Sequence, residues 1–246
     1  MWVKYKLIMR DVFGQALLDY QSGKYKEDII TFSTVAGQDK MPLPYLFRNF
    51  EAMPAIEQQA LKLCKGNVLD IGCGAGNHAL YLQEKGLDVT GLDVSEGAIS
   101  TCKLRGLKKT LNSTIYGLDG MKFDTLLLLM NGIGIAESLS KLDPFLKQLK
   151  QLLLPGGQVL LDSSDIIYMF DEEDIYEKTK SLIRSGQYYG EVTFTMEYKG
   201  YSSAPFQWLY LDYDTLKAHT RAHGWSCELV MEGEHYDYLA RLSLGK

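Results

Sequence analysis

Three glycines and two carboxylates carry most of the chemistry in this chain. Gly72, Gly74 and Gly76 alternate directly after the apolar run 68–71, which contains Asp70, and a second apolar run, 89–92, ends at Asp93. Glycines at that spacing form a turn without side chains, so a ligand can lie against bare backbone. Residues 77–84 then read as a helix whose first free amides open into the turn. Asp93, at the carboxyl end of the next strand, is placed to accept both hydroxyls of a ribose. A nucleotide-like ligand is expected there. The dinucleotide fingerprint G-x-G-x-x-G seats a pyrophosphate on the helix N-terminus, but Asn77 stands where its last glycine belongs. The negative charge of Asp70 opposes a pyrophosphate and suits a cationic amino-acid group.

Strand, acidic residue, G-x-G-x-G and a second-strand acid, all in register, resemble the class I S-adenosylmethionine-dependent methyltransferases. The resemblance is good over residues 61–165 and looser in the C-terminal part. It implies an α/β fold: a doubly wound, mostly parallel seven-stranded, Rossmann-like sheet with an antiparallel last strand. It also implies S-adenosyl-L-methionine as cofactor. In that reading Gly72, Cys73, Gly74 and Gly76 lie along the methionine part, Asp70 holds its ammonium, and Asp93 takes the ribose. Val94 and Ile115 sandwich the adenine. Thr114 stands where family members often carry an acid or amide for the adenine amino group, with Asp119 a few residues on. Asn131 and Gly132 end the fourth strand, where the family places its methyl-transfer motif. The N-P-P-Y or D-P-P-Y form used on planar amide or base nitrogens is absent from Asn131-Gly132-Ile133-Gly134. Gly134 there either allows close approach to the ligand or simply ends a strand.

The elements that position these residues alternate along the chain. Strands are expected at 68–71, 89–92, 114–116, 125–130 and 158–162, with a helix at 144–153, which predicts a parallel doubly wound sheet. A helix at 214–223 precedes strands at 227–231 and 236–242, which are antiparallel because only a short turn separates them. Two segments fall outside this core (61–165 and 213–246). Residues 1–60 form an N-terminal cap that starts helical, with an extended path enforced by the prolines at 42–48. Residues 166–212 form an inserted cap: an acidic start at 171–174, then a β-hairpin through 192–198 and 206–211.

Composition narrows the functional class. The chain has 246 residues, 46% of them hydrophobic and 23% charged, and a net charge of −5, which argues against a basic groove for nucleic acid. The densest basic group, Lys103, Arg105, Lys108 and Lys109, reads as a solvated helix end. Cys64, Cys73, Cys102 and Cys227 lack zinc spacing, so no metal is expected and a reduced, cytoplasmic setting fits. No apolar run is long enough to span a membrane. With the acidic balance and two cap segments narrowing the entrance, the acceptor is expected to be a small molecule, without nucleic acid or membrane as partner.

Four residues are candidates to face that acceptor. Arg48, beside Tyr45, could pair with a carboxylate or phosphate, or form an ordinary salt bridge. Asp162 and Asp165, flanking two serines after the fifth strand, could face the acceptor or cap a helix. His78 and His235 are the histidines to test as bases, while His219 and His223 sit near a helix C-terminus. No catalytic residue is assigned, because in-line methyl transfer rests chiefly on orientation. A protein acceptor, a cofactor-sensing protein without catalysis and a nucleotide-dependent oxidoreductase are the alternatives.

Overall fold

Short apolar runs separated by glycine turns build two sheets in the computed structural model, which describes residues 7, 8, 10–170 and 187–244; the acidic run 171–174 lies outside them. The chain opens with β1 (Leu7–Ile8), α1 (Val12–Gln21), the hairpin β2 (Ile29–Ser33) and β3 (Gly37–Met41), and α2 (Ala55–Leu63). The alternating section comprises β4 (Asn67–Ile71), α3 (Asn77–Glu84), β5 (Asp88–Asp93), α4 (Glu96–Leu104), β6 (Lys109–Asn112), β7 (Phe123–Leu128), α5 (Leu139–Leu152) and β8 (Leu153–Ser164). The insertion supplies β9 (Glu191–Tyr198), β10 (Tyr201–Ser202) and β11 (Phe206–Leu209), before α6 (Tyr213–Ala222), β12 (Trp225–Glu232) and β13 (Asp237–Leu244).

The larger sheet runs β12-β13-β8-β7-β4-β5-β6. Its β4 pairs in parallel with both β5 and β7, while β13 is antiparallel to β8 and β12. Both faces are covered, which is why these strands read as continuous apolar runs. Leu69, Leu126, Leu128 and Leu161 join one core cluster; Val68, Leu127, Leu160 and Leu239 join the other. Helix α5 buries Leu142, Phe145, Leu146, Leu149 and Leu152 at spacings of three and four. From β4 the order runs outward to β5 and β6 on one side and to β7 and β8 on the other, so the crevice at a topological switch point opens beyond its carboxyl end.

Three local expectations are corrected. The third strand is Lys109–Asn112, and the expected strand at 114–116 is instead a 3₁₀ turn, Ile115–Gly117. Segment 42–48 is not extended, because Leu43–Phe47 is also a 3₁₀ helix. Pro44 falls in its first turn, where a missing N–H costs nothing. Helix α5 starts before Pro144, which lies inside it.

The two expected caps share one sheet, ordered β1-β10-β9-β2-β3 with β11 also on β9. Strand β2 runs antiparallel to β9, with Ile30 opposite Glu197 and Ser33 opposite Phe194. Helix α1 lies between this sheet and the core. A Cβ on Gly97 would stand 2.4 Å from the carbonyl carbon of Gly14, so α1 and α4 touch backbone to backbone. Asp11 locks that contact. Its Oδ1 accepts from the Gly14 amide at 2.9 Å, capping α1, while Oδ2 accepts from Ser95 Oγ at 3.0 Å and the Gly97 amide at 2.9 Å in the first turn of α4.

Candidate functional site

The glycine turn needs its glycines. Gly72, Gly74 and Gly76 have φ of 76°, 53° and 82°, the left-handed region that a Cβ disfavours. The amides of Gly72 and Cys73 donate to the Leu92 carbonyl at 2.8 and 3.0 Å, binding the turn to the end of β5. Asp93 ties it further: its Oδ2 accepts from the Gly74 amide and its Oδ1 from the Ser95 amide, both at 2.9 Å. Burial raises the Asp93 carboxyl, and these amides oppose the shift. Beside it Val94 is 70% exposed, an apolar face beyond the strand end, while Ile115 is buried and Thr114 is exposed. Phe13 of α1 lies over the turn, its Cζ 3.8 Å from where a Gly74 Cβ would be.

Asp70 is 2% exposed, and its Oδ2 has no hydrogen-bond partner. Burial pushes its carboxyl up to about 6, and His78 partly offsets this. His78, in the first turn of α3, shares Glu57 Oε2 at 2.9 Å. Arg48 Nη2 donates to both Glu57 oxygens at 2.5 and 2.6 Å, and its Nη1 donates to the Tyr45 carbonyl at 2.6 Å. The guanidinium lies 3.9 Å from the Tyr45 ring centroid. His78 and Arg48 hold Glu57 below the usual carboxylate range against its burial. The salt-bridge reading of Arg48 therefore has a partner, and His78 is a buried hydrogen-bond partner of the same carboxylate.

At the end of β7, Met130 and Asn131 adopt left-handed φ of 63° and 58°. Asp162 clamps this bend: Oδ2 accepts from the Met130 amide at 3.0 Å and Oδ1 from the Gly132 amide at 2.9 Å. Burial pushes its carboxyl up to about 6. Asp162 thus caps the first amide of the 3₁₀ helix Gly132–Ala136 from a neighbouring strand. Asn131 Nδ2 donates to the Leu209 carbonyl at 3.0 Å, and its Oδ1 accepts from Ser163 Oγ at 3.1 Å. Ser163 in turn accepts from the Leu211 amide at 2.9 Å, so the insertion is bolted to the bend. Asp165 Oδ1 accepts from Tyr189 Oη at 2.7 Å and the Ile167 amide at 2.9 Å. A Cβ on Gly134 would lie 2.0 Å from Trp208 Nε1, so this glycine makes room for an indole.

The other histidines face solvent or pair with an acid. His235 is exposed, and His219 and His223 pair with Asp143 at 2.9 and 3.0 Å. Arg105 is not simply solvated, because its Nη1 donates to the Ala75 carbonyl at 2.6 Å and to Asn77 Oδ1 at 2.7 Å. Sequence reasoning missed Asp11, Phe13 and Glu57. Asp11 alone left a signal, an acid three residues before Gly14 at a helix start; Glu57 finds its partners only in the folded chain.

A family model described as a methyltransferase domain matches residues 68–157. A solved S-adenosylmethionine-dependent methyltransferase of Bacteroides fragilis, in complex with S-adenosyl-L-homocysteine, is 38% identical, with 96% of each chain covered and a TM-score of 0.87. The chain belongs to the S-adenosylmethionine-dependent methyltransferase family. Among curated relatives of this methyltransferase, a ubiquinone biosynthesis O-methyltransferase of Coxiella burnetii is 28% identical over 56% of the chain and 62% of the relative. A 23S rRNA (uracil(747)-C(5))-methyltransferase of Pyrococcus horikoshii is 31% identical over 30% of the chain and 18% of the relative. The chain spans less than two thirds of the length of the curated relatives it matches.

The residues present fit S-adenosylmethionine. A side-chain-free turn, a buried carboxylate oxygen without a partner and an acid at the end of β5 suit a cationic amino acid joined to a nucleoside. Among the described residues no group of three or more His, Cys, Asp or Glu could hold a metal ion. No helix of the described residues is long and apolar enough to cross a membrane.

Proposed function

We propose that this methyltransferase acts on a small-molecule acceptor, with Gly72, Cys73, Gly74 and Gly76 along the methionine part of the cofactor. Asp70 receives its ammonium, Asp93 its ribose, and Val94, Thr114 and Ile115 surround its adenine. Asn131 and Gly132 form the backbone beside the reacting end. The observation that carries the small-molecule reading is the shared cap sheet. It brings Phe13 over the glycine turn and, through Asn131 and Ser163, fastens the insertion to the end of β7. A crevice covered from both ends admits a small acceptor more readily than a folded macromolecule.

Bound there, S-adenosylmethionine supplies a methyl group on a positively charged sulfur. The chain's part is to orient the acceptor in line and exclude water, an effect worth roughly 7–11 kcal/mol. Tyr45 and Met130, both partly exposed and apolar in body, are the contacts offered to the acceptor. Asp162 acts from beneath by fixing the Met130–Gly132 bend, and Asp165 by fixing Tyr189. An acceptor whose lone pair is free at working pH needs no base.

The test is methylation of a metabolite extract with S-adenosylmethionine labelled on its methyl group. Label in compounds of low molecular mass is the expected result. Label that enters only protein or RNA, when those are supplied, overturns the small-molecule reading.

A further inference from the structure

Apolar side chains left in water collect along one rim of the larger sheet. Val94 and Met130 follow the carboxyl ends of β5 and β7, Tyr168 and Met169 follow that of β8, and all four are exposed. Strand β13 runs the opposite way, so Tyr236, immediately before it, reaches the same rim. Single apolar residues scattered over a surface are ordinary, but a group gathered at the mouth of a crevice marks a place that receives an apolar ligand.

Two of these side chains are built into a flat face. The Tyr168 and Tyr236 rings stack with centroids 4.9 Å apart and planes within 16°, yet they remain 52% and 64% exposed. Tyr236 holds a left-handed φ of 59°, a conformation that a bulky side chain rarely adopts. Its turn is clasped to keep it there: Asp237 accepts from the Gly233 amide through its carbonyl at 2.7 Å and from the His235 amide through Oδ1 at 3.0 Å. Asp165 joins the two rings. Its amide donates to the Tyr236 carbonyl at 3.0 Å, and its Oδ1 accepts from the Ile167 amide at the start of the 3₁₀ turn Ile167–Met169 that carries Tyr168. Strain held at an exposed position by several bonds, with no apolar burial in return, is the pattern of a ligand clamp.

The pair stands over the acceptor side of the crevice. Asp165 is three residues beyond Asp162, which holds the Met130–Gly132 bend, so at the rise of a strand the residues that carry the rings begin roughly 10 Å outward of it. Tyr210 of the insertion lies to one side, where burial raises its phenol and the neighbouring Tyr168 adds to the shift. We propose that Tyr168 and Tyr236 form an aromatic platform at the crevice mouth, which stacks on a planar ring of the acceptor while the acceptor's reacting atom reaches the Met130–Gly132 bend. This rests on the small-molecule reading above and names the acceptor's class, a compound with an aromatic ring. Because the two rings are already stacked and fixed, little side-chain entropy is lost when a third ring joins them.

The experiment titrates naphthol, a flat fused ring, and its saturated counterpart decahydronaphthol into the full chain loaded with S-adenosylhomocysteine, read by ligand-observed NMR. Wild type is expected to prefer the flat ring by about 3- to 10-fold, the contribution of one aromatic pair. Tyr168→Leu keeps apolar bulk without the ring, and Tyr236→Gly suits the left-handed φ. Each should erase the preference and leave the affinity for S-adenosylhomocysteine, measured by calorimetry, unchanged. Equal binding of the two probes by wild type, a preference that survives either variant, or a matching loss of S-adenosylhomocysteine affinity overturns the proposal. The labelled extract separates it from the reading beneath it. Low-mass products that all lack an aromatic ring overturn the platform alone, and label only in protein or RNA defeats the small-molecule reading itself.

Discussion

Asp93 holds the glycine turn to the end of β5, since its oxygens accept from the Gly74 and Ser95 amides, and the proposed ribose contact would add a second purpose. Asp93→Ala is therefore expected to weaken S-adenosylhomocysteine by about 1.5–3 kcal/mol in calorimetry, from lost charge-assisted hydrogen bonds and a looser turn. Unchanged affinity would refute the ribose role. Asp70 gives a pH signature. Burial lifts its carboxyl from 3.8 to about 6, so between those values the folded chain holds more protons than the unfolded one. Its contribution to stability is full below about pH 4 and is lost as pH rises through about 6. Asp70→Asn removes this loss, so the variant's stability relative to wild type should be greater at about pH 8 than at about pH 4, by a free energy approaching about 3 kcal/mol that is read as a pH-dependent shift in relative melting temperature. A relative melting temperature that does not move with pH would show that Asp70 is not the buried acid described. An ammonium ligand favours the ionised carboxylate, so binding below about pH 6 should also release a proton, read as buffer-dependent heat.

At the scale of elements, one side chain pins the close docking of α1 on α4. Asp11→Ala removes caps from both helices and should cost about 1–4 kcal/mol, given roughly 0.5–2 per cap, measured by chemical denaturation. A loss confined to a few tenths would mean that the Gly14–Gly97 contact suffices. Gly134→Ala tests the other end of the cover. Its methyl would drive into Trp208, and about 1–3 kcal/mol of stability should be lost through overpacking. The elements differed in how well the sequence announced them. The glycine turn and its flanking strands were legible because their signal is local: an apolar run, three glycines and an acid within a few residues. Lys109–Asn112 was not, because an edge strand of half-exposed polar residues has no apolar run to mark it. The prolines at 42–48 suggest an extended path because Pro disfavours a helix at the preceding residue, yet a short 3₁₀ turn tolerates Pro44 at its start. Arg48 offered either a ligand contact or an ordinary salt bridge, and only the folded chain brings Glu57 to it.

For the molecule as a whole, order reversal beyond β4 brings the ends of β4, β5 and β7 to one crevice, and this was foreseeable from alternation alone. The cover was not. Strands β2 and β9 come from opposite halves of the chain, and long-range pairing leaves no trace in a local pattern. Their interlocking has an evolutionary consequence. Neither half can be traded by recombination on its own, because a chimaera that imports a relative's insertion without the matching N-terminal hairpin would leave raw strand edges in water, inviting aggregation. Lineages that diverge in what they methylate are thus expected to vary these two distant stretches in concert, as a single inherited module split across the gene.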